Sequence, residues 1–142
     1  MTIIIDGTII QGARVASKNI RFQMPHLVWQ FPVIKDIYPA SINVRLTSPL
    51  RTLRWDHITL PIPWWDVDEH NPGRWVSEKF GFLEIGFEYT VGTHLRRAWS
   101  FDCHNSASHS DAYRFEVISE KIEGLSYNQP CKVHIEESKI LG

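Results

Sequence analysis

Cysteine is scarce in this chain, and long apolar segments are missing. Cys103 and Cys131 are the two cysteines among 142 residues, and their wide separation matches neither a CxxC nor a zinc-finger spacing. We therefore expect two buried free thiols rather than a disulfide. No apolar run approaches the ~20 residues that a transmembrane helix needs. Residues 1–6 lack the basic and apolar regions of a signal peptide, so a cytoplasmic protein without a membrane partner is expected.

An excess of charge of either sign is also missing. The formal net charge is -1, whereas general nucleic-acid binding requires a basic face, so no nucleic-acid partner is expected. The sequence contains no G-x-S-x-G elbow, no P-loop and no H-E-x-x-H motif. The common hydrolases, Walker-type NTPases and zinc proteases are therefore unsupported. What the chain does have is a length suited to a single domain, 1–142, with one core.

The clearest pattern is an alternating segment over residues 41–46, which follows the turn signal Tyr38-Pro39. Apolar residues occupy every second position, as in a half-buried strand. Ser41 and Asn43 lie two apart, so both side chains leave the same face of this predicted strand. A hydroxyl and an amide carbonyl on a rigid strand can hold Mg²⁺. The alternative is an ordinary strand whose outer face carries polar residues.

Similar alternation elsewhere predicts a mainly β chain of six or seven short strands. Residues 2–11 are predicted as the first of these, with Gly7 as a bulge or bend, and residues 76–91 as the longest. Further strands are predicted over residues 96–103, around Phe115 and from Cys131 to Ile135, with a short extended piece within residues 55–63. Turns separate these strands at intervals of about 8–12 residues, which is typical of a small sandwich or barrel. Strands at both chain ends allow a barrel to close on itself.

One or two short helices complete the prediction. A helix is expected near residues 27–31, and Pro25 and Pro32 limit its length because proline cannot continue a helix. A single helical turn is expected within residues 120–125. Residues 12–19 are small, polar and basic and predict a loop. Its backbone N–H groups, with Arg14 or Lys18, can hold a phosphate, and the alternative is a plain surface connection.

Three other stretches invite functional interpretations. The acidic run over residues 66–70 resembles a calcium loop, but Asn71 and Ser77 occupy the positions that require Gly and Glu, so that motif is rejected. His104 and His109 flank a polar loop without a zinc spacing, and His109 is either a ligand contact or a turn histidine. The Trp-rich stretch of residues 55–75 is predicted as a short extended piece followed by a loop. Its aromatic rings are predicted to be a surface on which a flat ring or a sugar stacks, a protein interface, or a cap on the core.

Taken in order, these segments resemble the archaeal CTP-dependent riboflavin kinases, which have a small closed cradle-loop β-barrel. Tyr38-Pro39-Ala40-Ser41-Ile42-Asn43-Val44-Arg45-Leu46 is similar to the signature Tyr-Pro/Glu-Gly-Thr-Leu-Asn and the apolar-basic-apolar strand after it. Asn71-Pro72-Gly73-Arg74-Trp75 resembles the family's mid-chain hairpin. Residues 108–117 resemble its Tyr-His-Ser segment and the next strand, and residues 128–135 its closing turn and last strand.

The resemblance implies roles for particular residues. Ser41 and Asn43 occupy the positions of the Mg²⁺-binding Thr and Asn, and Glu116 matches, within one residue, a flavin-contacting Glu that would orient the acceptor hydroxyl. Nucleotide phosphates would lie on the stretch that contains the following residues: Gly12, Arg14, Ser17 and Lys18. His109 matches a histidine near the flavin. Mg²⁺ and CTP or another nucleotide are the implied cofactors, and a flavin or nucleotide-like small molecule is the implied partner.

Several positions depart from the family pattern. The nucleotide loop of the family has two or three glycines, whereas only Gly12 remains here, and Cβ atoms at its neighbours hinder close approach of a phosphate. Ala40 replaces the glycine before the Thr. Glu123 stands where the family has a basic residue. We therefore expect a diverged member of the family, and fold does not fix function.

These observations lead to two main hypotheses on function and to a third, secondary one. The chain is either an enzyme that transfers phosphate from a nucleotide to riboflavin or a similar small alcohol, or a non-catalytic barrel that binds a flat or sugar-like ligand. Phosphoryl transfer depends mainly on positioning and charge neutralisation, so a sparse set of residues can suffice. In the non-catalytic barrel, the Trp-rich stretch would act as a lid. The third hypothesis is a protein-interaction domain that uses this stretch.

Overall fold

A computed structural model describes residues 1–11, 16–38, 40–50, 52–68, 71–89, 95–103 and 112–141. Within these ranges the chain forms nine strands, one α-helix and two short 3₁₀ helices. The strands are β1 (Thr2–Ile10), β2 (Ile42–Leu46), β3 (His57–Ile58), β4 (Ile62–Asp68), β5 (Asn71–Glu78), β6 (Phe80–Tyr89), β7 (Arg96–Cys103), β8 (Arg114–Ile118) and β9 (Pro130–Glu136). The helix α1 is Ala16–Gln30, and the 3₁₀ helices are Pro32–Ile34 and Glu137–Lys139.

Six antiparallel strands close into a barrel. Around the ring the neighbours are β1, β2, β8, β7, β6 and β9, and β9 pairs back with β1. β3 pairs with β6 outside this ring, and β4 pairs with β5 in a separate two-stranded sheet. The predicted fold class, a mainly β chain with a small closed barrel, is therefore confirmed. Because each strand of the ring has a partner on both sides, closure removes open sheet edges from the ring.

The main core lies inside the barrel. Along β6 the odd-numbered residues from Leu83 to Tyr89 are buried, whereas the even-numbered residues between them are partly exposed. This is the alternation that the sequence predicted, and it follows from the two-residue period of a strand. The other strands of the ring contribute buried apolar residues to the same cluster: Ile5, Ile9, Val44, Leu46, Ala98, Phe115, Val117, Val133 and Ile135.

A second apolar cluster joins α1 to β4 and to three strands of the barrel. Leu27 of α1 is fully buried there with Phe82 and Trp99. Phe31, just after the helix, stacks on the ring of His57 at a centroid distance of 4.7 Å and meets the ring of Trp99 edge-on at 5.1 Å. α1 therefore covers one side of the barrel by packing on outward-facing aromatic residues.

The helix is longer than the sequence predicted. The expected loop over residues 12–19 is wrong from Ala16 onward, because α1 begins there. The helix also passes through Pro25 and reaches Gln30, so the limit to residues 27–31 is wrong. Pro25 cannot donate a backbone hydrogen bond, but the burial of Leu27 against the second cluster offsets that loss, since tertiary packing supplies most helix stability.

Other corrections concern the strands. The loop predicted over residues 64–75 is wrong, because β4 and β5 occupy most of this stretch, with an irregular register between Asp66 and Asp68. These two strands bring the number of strands in the described residues to nine. The strand predicted over residues 76–91 is two strands, β5 and β6. Gly7 is not a bulge, because it pairs in regular register with Leu46 and Cys131. Residues 120–125 contain a bend at Glu120 and a turn at Glu123 and Gly124, but no helical turn.

Candidate functional site

The candidate site lies where β1 ends and β2 begins, at one mouth of the barrel. A cavity of about 450 Å³ opens there, within the range of roughly 300–1,000 Å³ that is usual for small-molecule sites. This mouth cavity is defined by the residues that line it: Ile9, Ile10, Ser41, Ile42, Asn43, Leu125, Ser126 and Tyr127. Apolar walls with a few converging polar groups are typical of ligand sites.

Asn43 is the central polar group of this cavity. Its neighbours Ile42 and Val44 belong to the barrel core, so Asn43 leaves the opposite, outer face of β2. It is nevertheless buried, with 7% of its surface exposed. Cross-strand pairing aligns Asn43 with Ile10 of β1 and with Glu116 of β8. Because paired residues of antiparallel strands project from the same face, the register brings the Asn43 amide beside the half-buried carboxylate of Glu116.

The amide oxygen of Asn43 has a charged partner. Arg114 donates a hydrogen bond from Nη2 to Asn43 Oδ1 at 3.3 Å, across a separation of 71 residues in sequence. The amide oxygen has two lone pairs, so it can accept one more donor or a cation. The positive charge of the guanidinium beside it opposes a second cation at the same oxygen. Arg114 was not singled out from the sequence, because nothing local connects it to Asn43.

Ser41 supplies a hydroxyl to the same cavity. Its Oγ is buried and has no hydrogen-bond partner in the part of the chain that the structure describes. A buried polar group without a partner costs about 1–3 kcal/mol, so a ligand atom that bonds to this hydroxyl would recover that cost. Ser41 and Asn43 both line the mouth cavity, in agreement with the shared face that their spacing predicted.

The turn before β9 forms another wall of the mouth cavity, and no sequence pattern had predicted it as part of the site. Asn128 has a positive φ of 66°, a conformation that Asn tolerates better than most residues. Its backbone N–H donates to the Ile9 carbonyl at 2.7 Å, and the Ile9 N–H donates to the Gln129 carbonyl at 3.0 Å. These two bonds attach the turn to β1 and hold the preceding Tyr127 at the cavity. The sequence did predict a turn at Asn128, but only the pairing of β1 with β9 places it here.

Several predicted site residues fall outside what the structure describes. Gly12, Arg14 and His109 lie outside the described residues. Ser17 and Lys18 lie in the first turn of α1 rather than in a loop, and their side chains are not among those described. The phosphate-binding role of this stretch therefore stays a prediction.

The remaining sequence candidates are only partly described. The predicted loop of His104 and the end of the acidic run at residues 69–70 lie outside the described ranges. In the portion of the chain that is described, no three His, Cys, Asp or Glu side chains come together as metal ligands. Trp55 is half-buried and packs against the barrel core, as the core-cap alternative predicts. Cys131 is a buried free thiol, as expected.

Comparison with known proteins adds no family assignment. The sequence matches no protein-family model and no curated protein. Among the described residues, no helix has the length and apolar character needed to cross a membrane. The resemblance to riboflavin kinases therefore stays a prediction that rests on the segments quoted above.

Proposed function

We propose that the mouth cavity binds a nucleotide such as CTP, with Mg²⁺, and that the chain transfers a phosphoryl group to riboflavin or a similar small alcohol. The observation that carries this proposal is the convergence of Ser41, Asn43 and Glu116. The resemblance assigns a role to each, and Glu116 comes from a position far from Ser41 and Asn43 in the sequence. Ser41 and Asn43 line one cavity, and Glu116 lies directly across from Asn43.

Each of these groups has a definite task in the proposed reaction. Ser41 Oγ and the second lone pair of Asn43 Oδ1 are hard oxygen donors of the kind that Mg²⁺ prefers. Bound Mg²⁺ would neutralise charge on the transferring phosphate. Glu116 would orient the acceptor hydroxyl and accept its proton as the alcohol oxygen bonds to the terminal phosphorus and the nucleoside diphosphate leaves.

Thermal unfolding with CTP, ATP, riboflavin and FMN, each with and without Mg²⁺, is the first test. A ligand at 100 times its dissociation constant stabilises the fold by about 2.7 kcal/mol. For a domain of this size that corresponds to roughly 5–10 °C in Tm. We expect an Mg²⁺-dependent shift with a nucleotide, a shift with riboflavin, and formation of the phosphorylated alcohol when both are present.

Variants then test the assigned residues. Asn43→Ala should abolish Mg²⁺-dependent turnover, and Ser41→Ala should weaken the Mg²⁺ dependence of nucleotide binding. Ser48→Ala removes a serine hydroxyl at an exposed position outside the mouth cavity and should leave both turnover and the Mg²⁺ dependence of nucleotide binding unchanged. Full turnover by a folded Asn43→Ala protein would refute the role of Asn43 in the reaction.

A second candidate function is ligand binding without catalysis. Arg114 favours it, because its guanidinium already donates to Asn43 Oδ1 and so opposes Mg²⁺ at that oxygen. Removing Mg²⁺ with EDTA distinguishes the two functions. A non-catalytic barrel should bind its ligand equally well with EDTA or with Mg²⁺ and should form no phosphorylated product, whereas the kinase should need the metal for both nucleotide binding and turnover.

A further inference from the structure

Tyr127 is the aromatic residue among those that line the mouth cavity. It lines the cavity, yet 58% of its surface is exposed. A tyrosine whose ring borders a largely apolar cavity offers a flat surface on which a planar group can stack. No sequence pattern predicts a role for this residue, and the resemblance implies none.

The position of Tyr127 is held by the backbone around it. The left-handed conformation of Asn128 and the two hydrogen bonds between Asn128, Gln129 and Ile9 attach this turn to the end of β1. Leu125, two residues earlier, packs against the barrel core. The chain is thus anchored on both sides of Tyr127, so little backbone order has to be gained when a ligand binds, which favours affinity.

The other walls of the cavity fit a flat, apolar ring with polar edges. Ile9, Ile10 and Leu125 supply apolar surface, while the hydroxyl of Ser41 and the amide of Asn43 supply hydrogen-bonding groups. A heteroaromatic ring system has apolar faces and polar edge atoms, and a volume of about 450 Å³ suits a ligand of that size.

We propose that Tyr127 is a specificity-determining residue that stacks on a planar heteroaromatic ring of the ligand. This inference rests on the proposed function for the existence of a ligand in the mouth cavity, and it adds which part of the ligand is recognised and by which side chain. The ring is either a flavin or a nucleobase, and both share the chemistry that a tyrosine face recognises.

The test measures dissociation constants of the whole chain and of four variants for riboflavin, FMN, CTP and ATP. Ribose 5-phosphate, which has no aromatic ring, is the control ligand. Tyr127→Ala should weaken binding of the planar ligand roughly 5- to 100-fold, which is the range expected for loss of one stacked aromatic side chain. Tyr127→Phe and Tyr127→Trp should bind within about threefold of the unaltered chain, because stacking needs the ring and not the hydroxyl.

Tyr113→Ala is the matched control variant. Tyr113 is also an exposed tyrosine, at 39%, but does not line the mouth cavity, so its replacement should leave the affinities unchanged. A preferential loss of riboflavin and FMN binding identifies a flavin ring on Tyr127, and a preferential loss of CTP and ATP binding identifies a nucleobase.

The inference and the proposed function can fail separately. If Tyr127→Ala weakens binding of a planar ligand but no phosphoryl transfer is found, the stacking stands and the kinase proposal fails. If turnover is present and Tyr127→Ala changes neither KM nor affinity by more than twofold, the stacking is wrong. It is also wrong if Tyr127→Phe loses as much affinity as Tyr127→Ala, or if none of the four planar ligands binds the unaltered chain.

Discussion

Replacement of Gly7 by alanine should destabilise the barrel, although alanine is often the more stabilising residue. Gly7 lies within β1, between Leu46 of β2 and Cys131 of β9. A Cβ at this position would lie 2.6 Å from Val44 Cγ1 and 3.1 Å from the backbone oxygen of Arg45. Both distances are shorter than an ordinary van der Waals contact, and Val44 is fully buried.

The magnitude follows from two opposing effects. Removing the freedom of glycine in the unfolded chain stabilises by about 0.4–1 kcal/mol. Forcing an extra carbon into a packed core costs about 1–3 kcal/mol, and the upper half applies here because Val44 is stiff about χ1 and a backbone oxygen of a paired strand cannot move aside. We therefore expect Gly7→Ala to lower the free energy of unfolding by about 1–2.6 kcal/mol.

Gly86→Ala is the matched control for this substitution. Its Cβ would lie 2.9 Å from Leu95 Cδ1 and 3.2 Å from His134 Cβ. The first of these atoms is the end of a side chain that is 54% exposed, so Leu95 can rotate away into solvent. This variant should lose less than about 1 kcal/mol.

Urea unfolding followed by tryptophan fluorescence measures both variants, and a double-mutant cycle with Val44→Ala identifies the cause. Val44→Ala removes the atom that the new Cβ would meet. The double variant should therefore be more stable than the sum of the single effects predicts, by about 1 kcal/mol or more. Additivity within ~0.5 kcal/mol, or a Gly7→Ala protein as stable as Gly86→Ala, would refute this reasoning.

Three further predictions concern single groups. The hydrogen bond from Thr2 lowers the pKa of the exposed Glu136 carboxylate below its ordinary value of 4.5, so its contribution to stability is present above that pH and lost as pH falls. Thr2→Val should therefore reduce the acid dependence of the urea midpoint. Burial, with a smaller effect of the Asp6 charge, raises the pKa of the Cys131 thiol to about 11, so its alkylation at pH 8 should be slow in the folded protein and fast in urea. Tyr89→Phe removes the 2.7 Å hydrogen bond to the Gly124 carbonyl and should cost about 0.5–1.5 kcal/mol.

Each of these three predictions has an outcome that would contradict it. An unchanged acid dependence in Thr2→Val would show that the hydroxyl does not set the carboxylate pKa. Peptide mapping by mass spectrometry follows Cys131 separately, and equal alkylation rates in the folded and unfolded protein would contradict its burial. A Tyr89→Phe protein with an unchanged urea midpoint would show that the bond to Gly124 adds no net stability.

Much of the barrel could be predicted from local pattern. The alternation along residues 42–46 and 83–89 predicted the burial of Val44, Leu46, Ile85 and Phe87, because the side chains of a strand alternate between its two faces whatever lies beyond it. The common face of Ser41 and Asn43 follows from the same two-residue period.

The helix and the hairpin could not be predicted in this way. α1 contains Pro25, which argues against a helix locally, and its stability depends on the contact of Leu27 with Phe82 and Trp99, which come from much later segments. The turn residues Asn71 and Gly73 predicted a loop, yet the backbone there pairs with β4. In both places long-range contacts override local preference.

By itself the sequence determined most strands of the barrel, the buried faces of β2 and β6, and the spacing of Ser41 and Asn43. The tertiary structure alone decided that Glu116 lies beside Asn43, that Arg114 donates to the amide, and that Tyr127 borders the same cavity. The physical reason is that the alternation of apolar and polar residues is a local property of each segment. The register between distant strands is set only when the barrel closes around one core.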